Sequence, residues 1–145
     1  KVKAFLYREG EWLVADRRDP PAVGPLEPGM WLHEPDPAAI RAQVWQPLEG
    51  WRIDETLALL ATPPGLRSDW TQSFEVLEIA DADRKNLIRL QKSYDFQPLE
   101  IKKRGFEVEP EELRKKLPRG HSGGAGVLYL TRVAGRHRAL VCKRN

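Results

Sequence analysis

The chain has 145 residues, 41% hydrophobic and 31% charged, with a formal net charge of +3. This length sets one domain with a sizeable buried core as the expectation, and the absence of any run of 18 apolar residues gives no candidate membrane helix. A single cysteine, Cys142, excludes an internal disulfide and a multi-cysteine zinc site.

The charge is unevenly divided. Residues 1–80 carry 8 Lys/Arg against 13 Asp/Glu, a net −5, whereas residues 81–145 carry 16 against 8, a net +8. No acid occurs from Arg119 to Asn145. A basic half suits a polyanion; an acidic half suits water or a basic partner. No signal-peptide pattern opens the chain, so the expected compartment is the cytoplasm. The chain begins without methionine inside a strand-like stretch, KVKAFLYR, which predicts a piece of a longer protein.

VKAFLYR and EWLVADR alternate around Glu9-Gly10 and predict a hairpin. RDPPAVGPLEPG, residues 18–29, holds four prolines and two glycines and reads as a linker. Asp36 then fits a helix N-cap and Pro37 the first helical position, with Ile40 and Val44 on one face and Pro47 as the stop. A short buried strand is expected near Ala58–Ala61. SFEVLEIA, residues 73–80, alternates Phe74, Val76 and Ala80 against Glu75, Leu77 and Ile79. Apolar residues on both faces make it a central strand. Asp81 or Asp83 opens a helix to about Tyr94, with Leu87, Leu90 and Tyr94 along one side.

PLEIKKR, residues 98–104, predicts a strand with Leu99 and Ile101 on one face and Glu100, Lys102 and Arg104 on the other. On that parity the core cannot hide Lys102 and Arg104. A helix follows from Pro110. Glu111 and Glu112 in its first turn and Arg114, Lys115 and Lys116 in its last suit the helix dipole. Leu113 and Leu117 form its buried stripe. GVLYLTRV and HRALVCKR then predict a terminal hairpin around Ala134-Gly135-Arg136, with Cys142 as a small core residue.

Few residues suggest chemistry. RGHSGGAG, residues 119–126, is the one glycine-rich loop, but a strand follows it, whereas phosphate-cradling loops lead into a helix N-terminus. A flexible loop is the plainer expectation. His33, His121 and His137 lie at no metal-ligand spacing, and no serine has a nucleophile-elbow context. Glu34, Asp36, Asp54 and Glu55 could converge, although Asp36 is explained as a cap and Glu34 as a partner for the helix or for a basic neighbour. The five tryptophans, at 12, 31, 45, 51 and 70, all lie in the acidic half and read mainly as core or domain-contact residues. No catalytic, cofactor-binding or metal-binding residue is expected.

Two stretches carry a resemblance. One is WLHEPDPAAIRAQ, residues 31–43; the other is PLEIKKRGFEVEPEELRKKLPRG, residues 98–120, preceded by FEVLEI and followed by the glycine-rich loop and the terminal hairpin. Together they resemble the C-terminal THUMP-like domain of bacterial class I S-adenosylmethionine-dependent methyltransferases, from about Trp31 to Arg144. In that family a Rossmann-like catalytic domain carrying the S-adenosylmethionine site precedes this region, and THUMP-type domains are associated with RNA. His33 stands where the family commonly has Tyr, and Gln43 where it often has Gly.

The resemblance implies a β-hairpin and Pro-rich linker over 1–29 and a THUMP-like α+β domain over 30–145. A mixed sheet of four or five strands is expected, with three helices mainly on one face. It further implies an accessory, substrate-recruiting domain of a methyltransferase, with RNA and the catalytic domain of the same polypeptide as partners and no cofactor in this chain. Lys102, Lys103, Arg104, Arg119, Arg132, Arg136 and Arg138 are the candidate phosphate contacts, positioning RNA without reading its sequence. The alternative expectation is a packing module whose Trp-rich half docks another domain.

Overall fold

The computed structural model describes residues 3–45 and 49–145. In chain order the elements are β1 (Lys3–Arg8), β2 (Glu11–Asp16), β3 (Trp31–Pro35), α1 (Pro37–Arg41), β4 (Trp51–Arg52), β5 (Leu60–Thr62), β6 (Thr71–Asp81), α2 (Arg84–Tyr94), β7 (Leu99–Lys103), α3 (Pro110–Lys116), β8 (Gly126–Val133) and β9 (Arg136–Arg144). β1 and β2 pair as a separate hairpin. The other strands form one mixed sheet in the order β4-β5-β3-β6-β9-β8-β7. Among the described strands of this sheet, β7 and β8 pair in parallel and the other neighbours are antiparallel.

The class is α+β as expected, and β6 is indeed central. The sheet has seven strands rather than four or five, because WLHEP and the two residues Trp51–Arg52 are also strands. Both hairpins turn through two residues of positive φ, Glu9 (50°) with Gly10 (85°) and Ala134 (49°) with Gly135 (80°). This primed-turn geometry matches the twist of the strands it joins.

The alternation expected for β6 changes partway. A bulge between Val76 and Glu78 shifts its register against β9. Phe74, Val76 and Ile79 therefore share one face, and Leu77 and Ala80 the other. A single extra residue reverses the parity of everything after it.

α2 and α3 cover one face of the sheet. Leu87, Leu90 and Leu113 pack there on Ile101, Leu128, Leu130, Ala139 and Val141. Asp83 caps α2 by accepting from Asn86 N at 2.8 Å, and Asp36 caps α1 by accepting from Ala38 N at 2.8 Å. α1 does not join the other two helices. Its Ala39 packs with Val44 against Ala4 and Leu6 of the hairpin. It stops at Arg41, and Gln43 adopts φ +57°, which ends the helix early. The expected stop at Pro47 falls outside the described residues.

The opposite face holds the second core: Leu32, Phe74, Val76, Val127, Tyr129, Leu140 and Cys142, closed over by Leu26, Ile53 and Leu59. Cys142 is fully buried there, and burial pushes its thiol well above the usual range. This face is concave. The segment after β4 reaches back to the β8–β9 turn, where Ala134 N donates to Ile53 O at 2.9 Å. Since β4 is an edge strand and β8 and β9 lie across the sheet, the contact requires the sheet to curl into an open half-barrel. Among the described residues no helix is long and apolar enough to cross a membrane.

Candidate nucleic-acid interface

Strand directions decide where the candidate cations go. β7 and β8 run parallel and β9 returns antiparallel, so the C-terminal ends of β7 and β8 share one end of the sheet with the start of β9. Lys102, Lys103, Arg104, Arg132, Arg136 and Arg138 all belong to that end. Arg119 lies at the other, before β8 begins. It borders a cavity of about 280 Å³ with Gln91, Phe96, Leu99, Arg114 and Leu117. The structure thus brings six of the seven together and leaves Arg119 apart.

Their surroundings differ from the sequence expectation. Lys102 points away from Leu99 and Ile101, as parity requires, but it is not left in the open. That side of β7 is the concave side, and the Lys102 side chain is only 18% exposed. Its ammonium lies 3.1 Å from Glu34 Oε1, 5.3 Å from the centre of the Phe74 ring and 5.8 Å from that of Tyr129. Arg104 approaches the same carboxylate at 3.4 Å while remaining 46% exposed. Parity alone could not reveal this, because Glu34 arrives from β3 through the curl of the sheet.

Glu34 is the hub of this cluster. Burial alone would raise its carboxyl pKa. Hydrogen bonds donated by the Tyr129 hydroxyl and Lys102, with the charges of Lys102 and Arg104, outweigh burial and hold it below the usual carboxylate range. The reciprocal effect on Tyr129 is strongly upward, through burial first and the Glu34 carboxylate second.

The remaining cations also meet acids or backbone. Lys103, on the helical face, donates to Val108 O at 2.8 Å. Arg136 and Arg138 both reach Asp81 Oδ1, at 3.2 and 2.7 Å. Arg132 is half-buried beside a cavity of about 450 Å³ lined by Asp54, Thr56 and Gly135, and its Nε is buried without a partner. Asp54 accepts from Thr56 N at 3.0 Å, Thr56 Oγ1 at 2.6 Å and Gly135 N at 2.6 Å. Burial opposes ionisation of Asp54, but these donors and the charge of Arg132 win, and its pKa is lowered. Glu34, Asp36 and Asp54 therefore serve three separate sites and do not converge.

Arg144 was not among the sequence candidates. Its guanidinium forks onto both oxygens of Glu100 at 2.7 Å and touches Gln72 at 3.2 Å. Asp81 was legible only as a possible helix start, yet it is the cross-strand partner of Arg138.

The glycine-rich loop is anchored rather than loose. The Asp95 carboxylate accepts from His121 N and Ser122 N, both at 3.0 Å, and from Ser122 Oγ at 2.9 Å. Gly123 N donates to Asp95 O at 2.8 Å. The amides that a phosphate would need are already occupied by a carboxylate.

His33 is fully buried between Ser73 Oγ, 2.8 Å from Nδ1, and Thr62 Oγ1, 2.7 Å from Nε2. The Thr62 hydroxyl donates to Pro63 O at 2.8 Å and must accept from His33 Nε2–H. The ring is neutral, and burial lowers its pKa to about 4.

Two uncharacterized S-adenosylmethionine-dependent methyltransferases from two strains of Mycobacterium tuberculosis are 31% identical to the chain over 122 residues, covering 79% of it but 32% of their own length. The chain therefore spans about a third of these curated relatives. A solved structure of a candidate methyltransferase from Porphyromonas gingivalis superposes with a TM-score of 0.69 at 19% identity, covering 100% of this chain and 38% of that one. At that identity the likeness concerns the fold, hairpin included. The THUMP domain-like family model matches residues 71–144, from the start of β6 to the end of β9. This span takes in both sheet-covering helices and every candidate cation, and the chain belongs to the THUMP domain-like family.

Proposed function

We propose that this chain is the accessory, substrate-recruiting domain of an S-adenosylmethionine-dependent methyltransferase, and that the substrate it recruits is RNA. On this reading S-adenosylmethionine and the catalytic residues belong to a Rossmann-like domain outside the 145 residues, in a cytoplasmic enzyme. The relatives carry the methyltransferase name over three times the length matched here, which supports an accessory role.

The observation that carries the RNA assignment is the gathering of Lys103, Arg104, Arg132, Arg136 and Arg138 at one end of the sheet. Phosphate contacts from such a rim position a strand electrostatically and confer little sequence preference. Lys102 belongs to this reading as a support: it and Arg104 are both drawn to Glu34, which fixes the end of β7 against β3.

Fluorescence anisotropy with a short unstructured RNA over a salt series tests the proposal. Binding should weaken as salt rises. In the Arg136→Ala/Arg138→Ala double variant the log–log slope should flatten by about 1.4, two single-strand contacts at about 0.7 each. Arg114→Ala/Lys115→Ala should change less, because Arg114 borders the same cavity as Arg119 and Leu99, at the end of the sheet away from Arg136 and Arg138. Affinity that ignores salt, or responds equally to both pairs, rejects the proposal. Titration calorimetry with S-adenosylmethionine should show no saturable micromolar site in this chain; such a site would overturn the division of labour.

A further inference from the structure

The β1–β2 hairpin has two unlike faces. Ala4 and Leu6 are buried, and with Leu13 they pack toward Ala39, Val44 and Trp70. The other face carries Phe5, Tyr7, Trp12 and Val14, which are 63%, 60%, 66% and 50% exposed. The register places Phe5 opposite Val14 and Tyr7 opposite Trp12, so the four form one block. The Tyr7 and Trp12 ring centres are 5.1 Å apart. This block exposes on the order of 400 Å² of apolar surface, a size that marks contact sites. A two-stranded ribbon is also marginal alone in water, and only one face of this one is supported.

We infer that this aromatic face is the seat on which the methyltransferase domain of the proposed longer enzyme packs. The inference rests on the accessory-domain reading above. Two observations choose that occupant. About two thirds of each curated relative lies outside the segment matched here, and the solved neighbour shares the fold over the whole of this chain, hairpin included, with most of its length still to place. The face is also the wrong chemistry for RNA. Among the described residues the charged cross-strand pair on this face, Lys3 opposite Asp16, is neutral overall, whereas stacking platforms for single strands lie in a cationic groove. The sheet end that gathers the cations is built by β7, β8 and β9, none of which pairs with the hairpin. One element would thus anchor the domain to the catalytic unit while another meets the substrate.

Hydroxyl-radical footprinting read by mass spectrometry tests this. The complete translation product of the reading frame is compared with the 145-residue chain. Phe5, Tyr7 and Trp12 should be labelled readily in the isolated chain and several-fold less in the complete product, while Leu66, exposed elsewhere, changes little. Equal labelling in both overturns the inference. So does protection that appears only on adding single-stranded RNA, which would make the face a base platform. Protection in the isolated chain that grows with protein concentration would assign it to a second copy and equally overturn it. The Phe5→Ser/Trp12→Ser variant of the complete product should expose Tyr7 to labelling, and unchanged protection of Tyr7 counts against the inference. The anisotropy experiment on the isolated chain reads RNA recruitment separately, so the two proposals can fail independently.

Discussion

Glu34 Oε1 and Lys102 Nζ lie 3.1 Å apart although their strands, β3 and β7, have three others between them. In a flat sheet four inter-strand steps of about 4.8 Å would hold the two backbones about 19 Å apart, beyond the combined reach of both side chains. The pair therefore closes the concave face across its width. The two side chains are 12% and 18% exposed, so removing one leaves the other poorly solvated. Glu34→Gln should cost about 2 kcal/mol in urea unfolding at neutral pH, less than a fully buried pair loses because some solvent remains. Glu34→Gln combined with Lys102→Met should recover part of that. Because the folded carboxyl has a lowered pKa, its contribution is present above the ordinary carboxylate range and fades as pH falls through the folded value. A Glu34→Gln variant as stable as the parent at pH 7 would show that the pair does not hold the curl.

His33 gives a second pH signature. Its folded pKa is about 4, against about 6.5 for an unfolded histidine. Between those values the unfolded chain binds a proton that the folded chain refuses, so stability rises with pH across that window. His33 should thus make the protein progressively less stable from pH 6.5 down to about 4, by up to about 1.4 kcal/mol per pH unit. Urea midpoints of wild type and His33→Gln should converge as pH falls from 7 to 5. Parallel curves would mean that His33 titrates alike in both states.

Much of the local structure was legible because it depends on nearest neighbours. Asp36 with Pro37, Asp83, Glu9-Gly10 and the charge order of residues 110–116 each carry their own capping or turn chemistry. What could not be read were partners set by curl and register. Residues 31–35 carry no strand expectation, because His33, Glu34 and Pro35 are poor strand formers. His33 is tolerated between Thr62 and Ser73, and Glu34 beneath Lys102 and Tyr129, all distant in sequence. The bulge at residue 77 has no sequence mark, and it exchanged the faces expected for Ile79 and Ala80. Which cations share one end of the sheet depends on the parallel β7–β8 pairing, and their approach to Asp81 and Glu34 on register and curl, none of which nearest neighbours encode.

The glycine loop should tolerate no side chain at two positions. A Cβ on Gly123 would stand 1.9 Å from Tyr94 O, and one on Gly120 1.9 Å from Phe96 O. Both obstacles are backbone at the end of α2, which Asp95 ties to the loop. Gly123→Ala should destabilise by about 3 kcal/mol, at the upper end of overpacking effects. Gly124→Ala, with nothing within 4 Å of its Cβ, carries only the strain of φ +73° and should cost about 1 kcal/mol. Equal effects of the two substitutions in thermal or urea melts would contradict this packing.

Asp81 separates a phosphate-facing rim from a merely balanced surface. Its Oδ1 engages both Arg136 and Arg138, and the three side chains are 52%, 68% and 25% exposed. Exposed pairs of this kind contribute up to about 1 kcal/mol each, so folding should survive their loss. Asp81 begins no helix and holds no cap; Asp83 does that. Asp81→Asn should therefore leave the melting curve nearly unchanged while releasing two guanidiniums. If RNA lies along this end, a phosphate takes the vacated place. Affinity should then rise about two- to fivefold at low salt, with a steeper salt dependence. If the arginines serve only to balance Asp81, the same variant binds RNA no better than wild type. An increase in affinity that persists when Arg136 and Arg138 are also replaced would place the RNA elsewhere on the domain.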